Sequence, residues 1–318
     1  MLSRVADSLY WMSRYLERAE NTARLLDVTM NQMLDTSDTT AEMRWQQLIA
    51  SMGQPEGLAW TGNLDGLVHR LVFDSYLPAS ITYCIDAARE NARQVREELS
   101  SEQWLHINRL YHHIHAPETA DLFATNMNDM LAAVLDGIHL YLGVSSSTML
   151  HGQGWHFIRL ARYLERAYST ATMLEVQQPR IFAHYEHSGS QHLEMVGLLR
   201  CCTSFEAYCQ VYTADLSPAR ILEFLLLNED FPHSIRYCID SIRMAIASIQ
   251  STGGRLAPGD LVSGIGRLHA MLDFTTIEEI LGGDITRFLR SIREQCLRIH
   301  ELIYRNYVHY SIQSALAV

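Results

Sequence analysis

Arg14-Tyr15-Leu16-Glu17-Arg18-Ala19 organises the whole chain, because the same six residues occur twice. They return as Arg162-Tyr163-Leu164-Glu165-Arg166-Ala167, a shift of 148 positions (162 − 14). The match continues beyond both stretches, for example at Thr22/Thr170 and Leu26/Leu174. A period of this length is too long for a solenoid repeat and predicts a duplicated half-molecule.

Apolar residues around each copy recur at steps of three and four, from Leu2 to Met33 and again from Phe157 to Leu174. This spacing predicts one apolar seam along a long helix in each copy. The first helix is expected to run from about Leu2 to Leu34. The second is expected to stop at Gln177-Gln178-Pro179, because proline removes a helical hydrogen bond.

Charged side chains lie on the face opposite this seam. One interpretation is a solvated face with helical ion pairs, each worth about a few tenths of a kcal/mol. We favour a constraint by buried pairing or by a site, because the two six-residue stretches are identical. In a pseudo-two-fold arrangement the two charged faces can meet. The candidate residues, spaced as neighbours on one face, are Arg14, Glu17, Arg18 and Asn21 in the first copy and Arg162, Glu165 and Arg166 in the second.

A second repeated element surrounds Pro78 and Pro232, a shift of 154 positions (232 − 78). Each proline is expected to open a helix, because proline suits the first helical turn. These helices are expected to run to about Leu99 and Ser251. Ser80 and Ser234 are expected to satisfy free backbone N–H groups in the first turn.

The helices after Pro78 and Pro232 also carry a repeated charged pair. Asp86 and Arg89 are three positions apart and lie off the apolar stripe, as do Asp240 and Arg243. We therefore include these four residues among the candidates for a charged network or a ligand site.

The remaining apolar patterns predict further helices, and no stretch alternates convincingly with period two. The fold class is therefore all-α: a duplicated helical bundle whose pseudo-equivalent halves, 1–150 and 151–318, pack as one unit. The other expected elements are a break at Asp35–Thr40, a helix from near Ala41, a long helix opened by Pro117 that runs from about Glu118 to Leu142, a turn at Ser251–Gly254, and helices near Leu64–Phe73, Ser101–His113, His184–Cys202, Phe205–Tyr212, Pro218–Leu227, Gly259–Leu272 and Gly283–Ser314.

Composition narrows the functional classes. The net charge of −11 argues against a nucleic-acid surface or an anionic membrane surface, since both need clustered cations. The apolar runs fall short of the ~18 residues of a membrane span. The six cysteines have no disulfide-framework spacing, so that reduced thiols and a cytoplasmic location are expected.

The sequence contains no recognisable motif for catalysis or for binding a metal or a cofactor. The fifteen histidines include groups at 106–115 and 184–192, but His-Glu-x-x-His is absent and the repeated helices carry no Glu-x-x-His. The chain also lacks the phosphate-binding Gly-x-x-x-x-Gly-Lys-Ser/Thr and the nucleophile motif Gly-x-Ser-x-Gly. We expect neither a metal nor a cofactor.

The opening Leu2-Ser3-Arg4-Val5-Ala6-Asp7-Ser8-Leu9-Tyr10-Trp11, followed by the first Glu-Arg stretch, closely resembles the bacterial alpha-E domain family. Phe205-Glu206-Ala207-Tyr208 and Phe231-Pro232-His233-Ser234-Ile235 also resemble that family, so the similarity spans essentially the whole chain. The family is named for a helical domain with a Glu-Arg motif. The resemblance implies genomic neighbours or fusion partners: a circularly permuted ATP-grasp ligase-like protein, a transglutaminase-like protein and sometimes a proteasome-like peptidase.

Three functional hypotheses follow. The resemblance implies a peptide-ligating or peptide-modifying system, in which this chain would be a non-catalytic partner or scaffold that binds an acidic or peptide ligand. Arginine suits such a ligand because its planar fork donates two parallel hydrogen bonds to a carboxylate. In the second hypothesis Glu17 or Glu165 is the general base of an enzyme. In the third the charges form a purely structural network.

Overall fold

The computed structural model describes residues 1–33, 38–183, 188–213, 215–251 and 259–308. Within these ranges the chain is all-α and contains no strand, as the sequence predicts. The helices are α1 (Ser3–Met33), α2 (Asp38–Ser51), α3 (Leu64–Phe73), α4 (Ile81–Gln94), α5 (Ser101–Ile114), α6 (Pro117–Thr125), α7 (Met127–Thr148), α8 (Gln153–Ile181), α9 (Ser188–Cys201), α10 (Phe205–Tyr212), α11 (Pro218–Leu227), α12 (Ile235–Ser251), α13 (Gly259–Phe274), α14 (Ile277–Gly282) and α15 (Ile285–Ile303), with a 3-10 turn at Arg96–Glu98 and a π turn at Tyr304–Val308.

The two Glu-Arg helices, α1 and α8, pack against each other at the centre of the fold. α4 and α7 also contact α1, while α12 and α15 also contact α8. The predicted seam is buried in both helices: Leu16 and Ala19 of α1 and Leu164 and Ala167 of α8 are at most 1% exposed. The alanines allow close approach of neighbouring helices. The other helices named here thus pack around a central pair, α1 and α8.

The helices after the two repeated prolines begin later than predicted. α4 starts at Ile81 and α12 at Ile235, so neither Pro78 nor Pro232 occupies the first turn. The serines cap them as expected: Ser80 Oγ accepts from the Tyr83 N–H at 3.0 Å, and Ser234 Oγ from Tyr237 at 3.1 Å. A serine cap needs a non-helical backbone at its own position, which keeps the proline two residues outside the helix.

Three other predicted boundaries are wrong. α4 ends at Gln94, before the 3-10 turn, rather than near Leu99. The long helix after Pro117 is two helices, because Asn126 caps α7 by accepting from the Asp129 N–H. Pro179 lies inside α8, which reaches Ile181. So close to the helix end, its missing N–H removes only one hydrogen bond.

The shorter helices compare well with the sequence. α3, α10 and α11 have the predicted bounds, while the sequence analysis missed α14, which begins with a capping box between Thr276 and Glu279. α15 ends at Ile303 instead of continuing toward Ser314. Parts of the break at Asp35–Thr40 and of the turn at Ser251–Gly254, with His184, His187 and the chain end after 308, lie outside the described residues.

One described helix, α7, is long and apolar enough to cross a membrane by length and composition. From the sequence, no apolar run was expected to approach the ~18 residues of a membrane span. Core helices of soluble proteins meet the same criterion, and α7 packs along α1, α5 and α6.

Local contacts recur at the repeated positions. The Ser80 hydroxyl donates to the Asp74 carbonyl, and the Ser234 hydroxyl donates to the carbonyl of Asn228. Cys84 and Cys238 each donate to the carbonyl of the proline six residues earlier. The superposition of 1–150 on 151–318 as two halves stays a prediction.

Candidate functional site

The two Glu-Arg stretches form crosswise ion pairs: the glutamate of each helix, α1 or α8, binds arginines of the other. Glu165 Oε2 lies 2.6 Å from Arg14 Nη2, and its Oε1 lies 2.8 Å from Arg18 Nε. In the opposite direction, Glu17 accepts from Arg166 at 2.5 Å (Nε) and 2.9 Å (Nη2) and from Arg162 Nε at 3.2 Å. Each glutamate of one helix therefore holds two arginines of the other. The charged faces meet, as the sequence analysis anticipated.

These contacts contradict the interpretation as a solvated face. Arg14 and Glu17 are each 6% exposed, and Glu165 and Arg166 are each 3% exposed. The ion pairs join different helices instead of neighbours along one helix, because facing side chains on packed helices can share a dry interface. A buried charge is tolerated there only when it is paired and hydrogen-bonded.

The arginines set the ionisation of this cluster. Burial alone would raise the pKa of Glu165, but the charges of Arg14 and Arg18 lower it to about 2. The charge of Glu165 outweighs burial and raises the pKa of Arg18. Burial lowers the pKa of Arg166, yet Glu17 and Glu20 raise it above its ordinary value. Glu165, Arg18 and Arg166 are therefore charged at neutral pH.

Arg14 has an aromatic partner that the sequence could not identify. His300 of α15 places Nδ1 2.9 Å from Arg14 Nη1 and 2.8 Å from the Tyr10 hydroxyl. Burial and the nearby Arg14 lower the pKa of His300 to about 4, so the ring is neutral at pH 7. Tyr10 lies one helical turn before Arg14 and could have been suspected. His300 lies 286 positions away and gives no sequence signal.

A cavity of about 330 Å³ lies beside these ion pairs, between α1, α8, the end of α2 with its following loop, and the residues before α4. We call it the Arg18 cavity. It is lined by Arg18, Asn21, Thr22, Ser51, Met52, Pro55, Glu56, Pro78, Ala79, Glu165, Tyr168, Ser169 and Thr172. Two of the candidate arginines thus differ: Arg18 lines this cavity and Arg14 does not.

Arg18 has hydrogen-bonding capacity to spare. Its Nε donates to Glu165, and its side chain is 28% exposed. Within the described part of the chain, its two terminal NH₂ groups have no hydrogen-bond acceptor. Ser51 Oγ, on the same cavity wall, is buried and likewise lacks a partner among the described residues. These groups are the free donors of the Arg18 cavity.

The predicted pair of Asp86 with Arg89 does not form. Asp86 Oδ1 lies 2.7 Å from Nε2 of His115. Arg89 Nε donates to Asn108 at 2.7 Å, and its guanidinium lies 4.2 Å from the centre of the Tyr111 ring. Asp86 and Arg89 thus pair with α5 or with His115, the residue that follows it, instead of with each other.

The predicted pair of Asp240 with Arg243 forms at 3.5 Å, but the closer partner of Asp240 is His269 Nε2 at 2.8 Å. His115 and His269 were both missed as partners. They are separated by the same 154 positions (269 − 115), which was the available signal. None of these residues lines the Arg18 cavity.

The described residues contain no group of three or more His, Cys, Asp or Glu side chains placed to hold a metal ion. The cysteines at 84, 201, 202, 238 and 296 are buried free thiols, and Cys209 is a partly buried one. Burial raises the pKa of Cys84 to about 12, so that it is an unreactive thiol at neutral pH. The Arg18 cavity is thus the site with the clearest chemistry.

Residues 1–308 match a family described as a predicted alpha-helical domain with a conserved ER motif. The chain belongs to the Alpha-E family. In one-letter code the motif is Glu-Arg, which stands here at Glu17-Arg18 and at Glu165-Arg166. In this Alpha-E chain, therefore, the named motif forms the crosswise ion pairs between α1 and α8.

Similar proteins include uncharacterised proteins of Mycobacterium bovis and Mycobacterium tuberculosis, each 24% identical to this Alpha-E chain over 283 residues. The match covers 81% of this chain but 31% of each relative. The chain thus spans about a third of the length of these relatives. No solved structure matches it.

Glu17→Ala is expected to lower the free energy of unfolding by about 3–5 kcal/mol, because it leaves the buried Arg166 without its carboxylate. Glu90→Ala is the control, since Glu90 and Arg93 form an exposed pair. It should cost under about 1 kcal/mol. Denaturation in urea measures both variants. A loss for Glu17→Ala no larger than that of the control would contradict a buried, functional pairing.

Acid is expected to weaken the fold through Glu165. Its folded-state pKa of about 2 lies below the ordinary 4.5, so the stabilisation is complete above pH 4.5 and is lost as pH falls toward 2. The wild type should lose roughly 3 kcal/mol more than Glu165→Gln between pH 5 and pH 2. Denaturation curves over this pH range test the difference, and parallel pH profiles would contradict it.

Proposed function

We propose that this chain is a non-catalytic helical module that binds an acidic or peptide ligand in the Arg18 cavity. One observation carries the proposal: a half-buried arginine with unused terminal NH₂ groups lines a cavity of about 330 Å³. Ligand sites commonly have volumes of roughly 300–1,000 Å³. The cavity therefore has room for one or two residues of a peptide.

The polar groups of the cavity suit such a ligand. A carboxylate can accept two parallel hydrogen bonds from the terminal groups of Arg18, whose orientation is fixed by its bond to Glu165. Ser51 offers a buried hydroxyl for a peptide carbonyl. Asn21 and Ser169 offer further polar groups, and Glu56 suits a peptide N–H or an amine. Met52 and Pro55 supply apolar contact area.

The general-base alternative has less support. A base works best when its pKa lies near the operating pH, whereas Arg14 and Arg18 hold the pKa of Glu165 at about 2. Both carboxylate oxygens of Glu17 already accept hydrogen bonds from arginines. The purely structural alternative accounts for these ion pairs but not for the cavity or for the unused groups of Arg18.

The proposed setting is a cytoplasmic peptide-modifying system. The resemblance to the alpha-E family suggests a circularly permuted ATP-grasp ligase-like partner, with a transglutaminase-like protein as a second candidate. The mycobacterial relatives are about three times as long as the matched segment, which leaves room for further domains in the same polypeptide. The chain would present an acidic segment to the partner that carries out the chemistry.

Arg18→Lys is expected to weaken binding of a glutamate-containing peptide roughly ten- to hundredfold, because it removes the fork of the guanidinium and keeps its charge. Arg162→Lys is the matched control. Arg162 also bonds the opposing glutamate through Nε and is 26% exposed, but it does not line the cavity. Isothermal titration calorimetry measures both, and equal losses would contradict a site at Arg18.

We further expect the purified chain alone to show no ATP hydrolysis and no ligase turnover. It should instead co-purify with the ATP-grasp ligase-like protein. That assembly should lose activity in the Arg18→Lys variant while the melting temperature changes little, because Arg18 is the more exposed arginine and bonds Glu165 through Nε alone. Turnover by the isolated chain would favour the enzyme alternative, with Glu17 and Glu165 as the first residues to test.

A further inference from the structure

A second, much smaller cavity lies beside the ion pair of Glu17 with Arg166, and its lining shares Asn21 and Ser169 with the Arg18 cavity. Its volume is about 20 Å³, enough for one water molecule. We call it the Glu20 cavity. Its lining includes Glu17, Glu20, Arg24, Arg166, Ser169 and His233. Several of these residues stand at the same repeat positions as residues that line the Arg18 cavity. At the shift of 148, Arg166 matches Arg18, Glu20 matches Tyr168 and Arg24 matches Thr172. At the shift of 154, His233 matches Ala79.

The two cavities differ in how their arginine is used. Arg166 donates to both oxygens of Glu17 and, through Nη1, to the carbonyl of Pro232 at 3.3 Å. Its Nη2 also lies 4.0 Å from Oε2 of Glu20. Arg18, by contrast, bonds Glu165 through Nε alone. Among the described residues, all three nitrogens of Arg166 donate hydrogen bonds, whereas only Nε of Arg18 does.

The carboxylates on the two sides are also unequal. Arg162 and Arg166 share Glu17, and Arg166 has Glu20 as a second carboxylate at 4.0 Å. In the described part of the chain, Arg14 and Arg18 have Glu165 as their single carboxylate within 4.0 Å.

Glu20 is held in place as an anion. Burial would raise its pKa, but the hydrogen bond from His139 and the charges of Arg166 and Arg162 lower that pKa to about 2. Glu20 Oε1 lies 3.1 Å from His139 Nε2, while Oε2 is buried and has no hydrogen-bond partner among the described residues. His233 and Arg24 fill the space that Ala79 and Thr172 leave open in the Arg18 cavity.

We infer that Glu20 is a built-in carboxylate beside Arg166, and that the Arg18 cavity takes the carboxylate of an external peptide in the equivalent place beside Arg18. This inference rests on the proposed function and narrows it. The chain binds one peptide, through a carboxylate, in the half where position 168 is tyrosine. In the Glu20 cavity, the protein's own Glu20 occupies the equivalent place. The carboxylate belongs either to a glutamate side chain or to the peptide C-terminus, since both present the same two oxygens.

Tyr168→Glu tests the inference, because it would put a built-in carboxylate beside Arg18 as Glu20 is beside Arg166. Tyr168→Gln is the matched control, with the same shape and no charge. Two peptides serve as probes in calorimetry: an alanine-rich peptide with one glutamate and an amidated end, and its glutamine version with a free C-terminal carboxylate. The probe that binds the wild type more tightly identifies the source of the carboxylate.

We expect the wild type to bind one peptide per chain, Tyr168→Gln to stay within about threefold of it, and Tyr168→Glu to bind at least tenfold more weakly than Tyr168→Gln. Equal affinities of the two variants would overturn the inference while leaving the proposed function intact. If the wild type binds neither probe, the proposed function fails.

Stability provides a readout that needs no ligand. Tyr168→Glu should melt at a higher temperature than Tyr168→Gln at pH 7, because Arg18 stabilises the ionised carboxyl. That advantage should shrink below pH 4.5 and be mostly lost as the pH falls to 2. A lower melting temperature for Tyr168→Glu at pH 7 would overturn the inference. This comparison of melting temperatures can be made whether or not the probe peptides bind.

Discussion

The fold depends on buried ion pairs between two packed helices, α1 and α8. Glu17 and Glu165 each accept from two arginines of the opposite helix, at a contact from which water is largely excluded. Sliding or rotating α1 against α8 would separate several ion pairs at once and leave unpaired charges in a dry interface. The neighbouring apolar seams tolerate other registers, since Leu, Ala and Val contacts are non-directional. We therefore attribute the register of α1 on α8 to the ion pairs and its stability to the seams.

The same ion pairs also position the donor of the proposed ligand site, so the structural and the ligand-binding hypotheses are compatible. The bond from Arg18 Nε to Glu165 fixes the guanidinium and leaves the two terminal groups free. A fixed donor loses less conformational entropy on binding than a flexible surface arginine would. The Glu-Arg motif can thus be structural at Arg166 and ligand-binding at Arg18. A motif that stabilises the fold on one side is also rigid enough to present a site on the other.

The sequence predicted the helical class, the seams and the meeting of the charged faces, because each depends on residues that recur at a fixed shift. It failed where a distant residue decides the outcome. Asp86 pairs with His115, just after α5, and Arg14 contacts His300 of α15, and local spacing cannot place either partner. Helix ends at Gln94 and Asn126 depend on capping geometry rather than on apolar period. The cavity depends on what surrounds Arg18, where Ala79 leaves the space that His233 fills in the second half.

The difference between the Arg18 cavity and the Glu20 cavity bears on the stability of the fold and on ligand binding. Under our inference, a carboxylate at position 168 would pair with Arg18 in the way that Glu20 lies 4.0 Å from Arg166, and it would stabilise the isolated chain. The chain has tyrosine there, and so it keeps an arginine with unused donors next to an open cavity. Stability given up at a site commonly reflects a functional demand on that site. The interaction that the isolated fold lacks is then available to a ligand, whose binding free energy includes the ion pair that the protein does not make with itself.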